Sequence, residues 1–413
     1  MSDYFSSRSI VKLLRLSHQE VREGAFLVAG FFVLPTVSSS LSLMPPKPGL
    51  YDHRGICKKT GLEMPRWPKS LERPEPLTAP QIGTRRTLLL FVDFGDNSWS
   101  HDRSEYQGLL FSENRNSMKD YYREVSYALF TVEGDLWGWY RAPQPYSYYV
   151  GEGYGYKSRY PNNAQRLVED AVRLADPSVD FSLYDSDGDS IVDGLFVVHA
   201  GPGAEETGDP NHIWSHKWNL SDTSEGCPGP YLTQDGVYVD PYSTEPEEFE
   251  DGSLITIGVF CHEFCHVLGA PDLYNTTTGE AVVGKFCLMD AGSWNGSPVG
   301  SSPAHISPLL KHFFGWIEPS PVEREGTVEI PSAQIPAVET DTLVYRILAN
   351  PGGCDWSREG NGEGEYFLVE NRQRSGFDEA LPGSGLLIWH ISESRADNND
   401  QYARLACIMQ ADG

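Results

Sequence analysis

CHEFCHVLGAPDLY, residues 261–274, sets two histidines and a glutamate within five positions and follows them with a glycine and an aspartate. On an α-helix, residues four apart lie about 40° apart around the axis. His262 and His266 therefore project from one face and can bind a single cation, and paired imidazoles suit zinc. Glu263 stands about 100° round from His262, too far aside to be an equal third ligand. It is near enough to reach a water on the metal, which is where a general base belongs. Gly269 can take the left-handed turn that ends a helix, and Pro271 cannot continue one. The chain can then bend back so that Asp272 supplies an oxygen ligand, leaving a fourth tetrahedral position for water. HExxH alone is only moderately specific; the glycine and aspartate at set distances narrow it.

Downstream, KFCLMDAGSW (285–294) holds Met289 in a turn-forming context, where its side chain can floor the site, although a lone methionine is more often plain core. Cys261 and Cys265 share the flank of the helix turned away from the metal-facing stripe, which predicts buried thiols rather than ligands. Upstream, TLLLFVDF (87–94) has the continuous apolar run of a strand buried on both faces. A helix is expected from Asn116 in NSMKDYYREV. A second, capped by Asn163, brings Ala164, Leu167, Val168, Ala171, Val172 and Ala175 to one face. GLFVVHAG (194–201) reads as a strand, and this alternation predicts an α/β layer. AHISPLLKHFFGW, from residue 304, reads as a closing helix that Pro308 interrupts. From about residue 321, TVEIP, TLVYRIL, EYFLVEN, GLLIWHI and ARLACIM are short, β-rich and separated by turns, which predicts a separate all-β domain.

DSDGDSIVDG places Asp185, Asp187, Asp189 and Asp193 at loop positions 1, 3, 5 and 9, with the Ile191 carbonyl at 7, an oxygen array of the kind calcium takes. Ser190 and Phe196 replace the glycine and glutamate of a full EF-hand loop, and a solvated acidic turn is the plainer alternative. His199, His212 and His216 are expected as structural histidines, with the cleft wall as their other reading. EPEEFED (245–251) reads as a solvated acidic loop. Cys57 lies among cations that favour its thiolate, so it can serve as a latency ligand, although an ordinary disulfide is the favoured reading.

Lys12, Arg15 and Arg22 precede the apolar run AFLVAGFFVL (25–34), in the order of an export signal. That run is shorter than the roughly 20 residues that span a bilayer as a helix, so a membrane association is expected only if the segment stays uncleaved. The formal charge of −26 with no basic stripe excludes a nucleic-acid partner. Seven cysteines leave at least one unpaired within the chain. The expected organisation is a signal peptide or anchor at 1–43, a proline-rich pro-segment at 44–84, a catalytic domain at 85–320 and a β domain at 321–413 that can be incomplete.

LLLFVDFGDNSW, MKDYYREVSY, YDSDGDSIVDGLFVVHAGPGAEETG, IWSHKW, HEFCHVLGAPDLY, LMDAGSW and EYFLVEN together make the chain resemble the immune inhibitor A family of secreted zinc metallopeptidases, relatives of the metzincins. The resemblance implies His262, His266 and Asp272 as zinc ligands, Glu263 as base, Met289 as the Met-turn residue, and a β-sandwich after an α+β catalytic domain. Ala291 stands where some metzincins carry a tyrosine, so the oxyanion donor is unassigned. The reading is a secreted zinc endopeptidase acting on proteins or peptides. A calcium-stabilised adhesion protein with a vestigial metal site and a small-molecule amide hydrolase are the alternatives.

Overall fold

The computed structural model describes residues 9–13, 81–113, 116–322, 326–334, 342–348, 350, 356 and 362–409. The apolar run at 25–34, the segment at 44–80 and Cys57 lie outside the described residues. β1 (Ser9–Leu13) falls within the expected leader and runs antiparallel to β10 (Gly326–Ile330).

The central sheet is built from β2 (Gly83–Asp93), β3 (Phe130–Arg141), β4 (Leu195–Pro202), β5 (His216–Asn219) and β8 (Pro241–Glu248), in the order β3-β2-β4-β8-β5. All pairings are parallel except that of edge strand β5 with β8. β6 (Tyr231–Leu232) and β7 (Tyr238–Val239) form a small ribbon beside it.

Both faces of the sheet are covered, which is why β2 is apolar at consecutive positions. Leu89 and Phe91 enter one core with Phe196 and Val198 of β4, and Leu88, Leu90 and Val92 enter the other with Leu195 and Val197. The first face carries helix Met118–Val125, through Tyr121 and Tyr122, and helix Ile257–Val267, through Phe260 and Phe264. Phe264 meets the rings of Tyr122 and Phe196 at centroid distances of 5.2 and 5.7 Å. The second face carries helix Ala164–Ala175, with Asn163 accepting from the Arg166 amide as its cap. Helix Ile257–Val267 is buried from Ile257 to Cys265 and emerges only at His266 and Val267, as its apolar circumference demands.

Two expectations are overturned. Pro308 does not interrupt a helix but opens one, Pro308–Phe313, with Ser307 as cap. Proline costs nothing at the first helical position, where its missing N–H has no partner to lose. EPEEFED is not a solvated loop: Glu245 and Glu247 are fully buried on β8. Glu247 accepts from the backbone amides of Ser100 (2.6 Å), His101 and Gly201 (3.2 Å), so its charge is matched inside the fold.

The C-terminal segments form a second five-stranded sheet from β9 (Ser320–Pro321), β11 (Val344–Ile347), β12 (Glu365–Arg372), β13 (Gly385–Ser392) and β14 (Ala406–Ile408). Its order is β14-β13-β12-β11-β9. Tyr366, Leu368, Trp389 and Ile391 join the same core as the Ile257–Val267 helix, and Val369 on the other face meets Ile330 of β10. Charged side chains on each side tie this sheet to the first layer through backbone groups on the other. Glu124 accepts from the Phe377 amide at 2.9 Å, Asp378 from the His305 amide at 3.0 Å, and Arg372, itself paired with Asp378 and with Glu370 (3.1 Å), donates to the Phe286 carbonyl at 3.3 Å.

Candidate metal centre

The helix bearing His262 and His266 ends in a Schellman turn. Gly269, at φ +105°, donates its amide to the His266 carbonyl, and Ala270 donates to Cys265, both at 3.0 Å. A side chain at that φ would collide with its own backbone, so glycine supplies the conformation. The reversed chain brings the Asp272 carboxylate to the two rings. Its Oδ1 lies 3.1 Å from His262 Nε2 and 3.3 Å from His266 Nε2, and the two ring nitrogens are 3.2 Å apart.

Each ring is oriented from behind. His262 Nδ1 donates to the Leu288 carbonyl at 2.9 Å and His266 Nδ1 to the Ala270 carbonyl at 2.8 Å. The same glycine turn therefore both ends the helix and presents the acceptor that sets His266. With hydrogens on both Nδ1 atoms, the neutral rings turn their two Nε2 lone pairs toward the carboxylate oxygen of Asp272. Asp272 Oδ1 is correspondingly buried with no hydrogen-bond donor. The arrangement asks for a cation, and these three residues meet the geometric requirement for holding one.

The same negative surroundings that suit a cation also favour a proton when none is bound. Burial disfavours charge on His262, yet its contact with Asp272 and the nearby Glu263 carboxylate hold its affinity for a proton up, at about 9. Burial likewise pushes the Asp272 carboxyl up, but the two imidazoles outweigh it and hold the group well below the usual carboxylate range. Solvent reaches the cluster at His266 and Asp272, whose side chains are 17% and 19% exposed against 4% for His262.

Glu263 is buried, accepts from the Lys217 backbone amide of β5, and is raised above an ordinary glutamate by burial, against the pull of both histidines. Met289 is fully buried, and its carbonyl accepts the Leu273 amide at 2.7 Å. Residues 288 and 289 thus fix the His262 ring and the chain beside Asp272. Next to them Asp290 gathers the amides of Val282, Val283 and Gly284 (each 2.8 Å) and Ala291 (2.6 Å). Cys261 and Cys265 are buried, free thiols.

Sequence reasoning missed several neighbours. Tyr274 closes the opening motif and is buried beside the charges of Asp272 and Glu263. Glu205 and Glu245, fully buried near Glu263, are pushed up by burial, Glu205 to about 7. Only the tyrosine carried a signal, its place in the motif. Glu205, on the short helix Ala204–Thr207, and Glu245, on β8, reach the site from separate elements and leave no local pattern.

Elsewhere, the structure brings together Asp185, Asp187 and Asp189, whose oxygens lie within 4.8 Å of one another. Asp193 is not part of that group; it pairs with Arg85 and accepts from the Ser186 amide. The Ile191 amide donates to Asp189 at 2.8 Å. His199 and His216 are buried, with Nδ1 on the Ala200 (3.1 Å) and Trp214 (2.7 Å) carbonyls, and His212 Nδ1 lies 2.9 Å from Thr207 Oγ1.

Residues 79–316 match the family described as immune inhibitor A peptidase M6, catalytic domain. The pre-pro-metalloprotease PrtV of Vibrio cholerae serotype O1 (strain M66-2) is 32% identical over 286 residues, covering 56% of this chain and 30% of its own. Immune inhibitor A of Bacillus thuringiensis subsp. alesti is 30% identical over 271 residues, covering 55% of this chain and 38% of its own. The chain spans about a third of the length of these relatives. With more than half of its residues matched, the helix of His262 and His266 and the Met289 turn included, the chain belongs to the immune inhibitor A (M6) peptidase family.

Proposed function

We propose that the chain is a secreted zinc metalloendopeptidase that hydrolyses peptide bonds of proteins, with His262, His266 and Asp272 as ligands and Glu263 as general base. The observation that carries it is the convergence of two Nε2 lone pairs and one carboxylate oxygen, each ring oriented by a carbonyl behind it. Tetrahedral zinc bonds of about 2.0–2.1 Å put neighbouring ligand atoms about 3.3 Å apart. The separations of 3.1, 3.2 and 3.3 Å lie close to that value.

Zinc, when bound, supplies Lewis acidity to a scissile carbonyl and acidifies a water. Glu263 takes the proton of the attacking water and delivers it to the departing amine. Its burial suits the task, because a carboxylate with raised proton affinity is a better base near neutral pH. The Lys217 amide holds the carboxylate in place between the two transfers. The HExxH helix, the glycine reversal and the buried Met289, whose carbonyl holds the chain next to Asp272, support a metzincin-like catalytic unit over 85–320, with a β-rich domain from 321. Export rests on the leader-like order at 12–34 and the family resemblance; among the described residues no helix is long and apolar enough to cross a membrane.

Incubating the purified chain with unfolded casein, with and without a zinc chelator, tests the activity. Chelator-sensitive cleavage is expected; intact casein with zinc-loaded protein would leave the adhesion protein and the small-molecule amide hydrolase. We further propose calcium at Asp185, Asp187 and Asp189, with the Ile191 carbonyl available, supported by their three converging carboxylates. Calcium at a hundred times its Kd should then stabilise the fold by about 2.7 kcal/mol. Thermal denaturation checks this: Asp187→Ala should remove the shift, and an unshifted wild type argues for a solvated turn.

A further inference from the structure

We propose that Asn398, on the loop between β13 and β14, positions the Asp272 ligand, so that the C-terminal sheet completes the metal centre. The inference rests on the ligand assignment above.

Asp272 is carried on an arm that has left the helix, and nothing within the helix fixes it. The peptide that follows it is held from two sides. The Leu273 amide donates to the Met289 carbonyl at 2.7 Å, and the Leu273 carbonyl accepts from Asn398 Nδ2 at 2.7 Å. The first contact comes from the turn beneath the site; the second comes from the far end of the chain.

Asn398 is built as a fixed clamp. It is fully buried and also pairs with Ala406 of β14, accepting its amide at 3.0 Å and donating to its carbonyl at 2.8 Å. That bidentate pairing locks the side-chain rotamer, so the remaining N–H has one direction, toward Leu273. Asn399 extends the grip: its carbonyl accepts from Asn275 Nδ2 and its side-chain oxygen from Thr276 Oγ1, both at 3.0 Å. Outer contacts that orient a ligand typically set metal affinity by about ten- to a hundredfold.

A purely structural role predicts lost stability with an unchanged metal site; a positioning role predicts a changed metal site in a folded protein. The test uses the full chain as Asn398→Ala, Asn398→Asp, Asp272→Ala and Ser302→Ala. The last removes a different contact to the C-terminal region, the hydrogen bond from Ser302 Oγ to the Phe377 carbonyl (2.9 Å), without touching the arm. Zinc affinity is read by chelator competition, and ligand geometry by the visible spectrum of the cobalt-substituted protein. Both Asn398 variants should bind zinc about ten- to a hundredfold more weakly, with an altered cobalt spectrum, while Ser302→Ala matches wild type. Wild-type affinity and spectrum in folded Asn398→Ala, with Asp272→Ala impaired, would overturn the clamp alone. No zinc in wild type, or full affinity in Asp272→Ala, would overturn the ligand assignment and the clamp with it. If Asn398→Ala does not fold, Asn398→Asp, which keeps the oxygen that accepts from Ala406 and loses the N–H donated to Leu273, carries the test: faster zinc release supports the clamp, and an unchanged rate overturns it.

Discussion

At the scale of single residues, two imidazole nitrogens and a carboxylate oxygen crowd within 3.3 Å because their surroundings leave them no other partner. Both Nδ1 atoms are engaged by backbone carbonyls, so in the neutral rings the side that faces Asp272 carries a lone pair. Glu263 has a separate duty. Glu263→Gln keeps its shape and loses its basicity, so it should retain zinc while turnover falls by at least about a hundredfold. Metal analysis beside casein cleavage checks both halves, and full activity in that variant would refute the base. His199 and His216 answer to pH. Burial holds both at about 4, below the ordinary 6.5, opposed only by their carbonyl partners. A depressed histidine binds fewer protons in the folded chain than in the unfolded one, so its contribution is present above 6.5 and is lost as pH falls through 6.5 toward 4. Glu205, raised to about 7 by burial, works in the opposite sense and favours folding most below its unfolded value. His199→Gln should therefore flatten the fall in urea midpoint between pH 6.5 and 4.5; an unchanged slope would assign the acid sensitivity to other groups.

At the scale of elements, the helix that ends at Gly269 decides whether Asp272 meets the two histidines. A side chain at φ +105° strains the turn by about 1–2 kcal/mol. Gly269→Ala should accordingly lower stability by about that amount and weaken zinc binding, measured by urea titration and chelator competition. Unchanged zinc affinity would mean that the arm finds its place without the turn. Gly258 is equally constrained, since an added Cβ would stand 2.1 Å from the Ser293 carbonyl. Much of this was legible in the sequence. The histidine spacing, the helix-ending glycine and the aspartate encode a local geometry, and the apolar run of β2 encodes a strand covered on both faces. Contacts made across the chain were not. Glu245 and Glu247 read as surface charge because acidic residues are usually solvated, and only the sheet around them shows where they lie. Pro308 read as a breaker because its meaning depends on which residue is the cap.

At the scale of the whole molecule, the C-terminal sheet shares a core with the helix of His262 and His266, and Arg372, Asp378 and Glu124 join it to the first layer through hydrogen bonds to the Phe286 carbonyl and to the His305 and Phe377 amides. Arg372 stands between Glu370 and Asp378 with no exposed surface, so removing it leaves two buried carboxylates unmatched. Arg372→Ala should cost about 3–5 kcal/mol in urea unfolding, and a loss under 1 kcal/mol would show that the site relaxes. The account as a whole stands on the cation that the sequence and fold converge upon. X-ray absorption at the zinc edge of the purified full chain tests it most directly. One zinc per chain with two imidazole nitrogens and carboxylate or water oxygens at about 2.0–2.2 Å is the predicted result. A well-folded chain that takes up no zinc, or holds it without histidine, would contradict it.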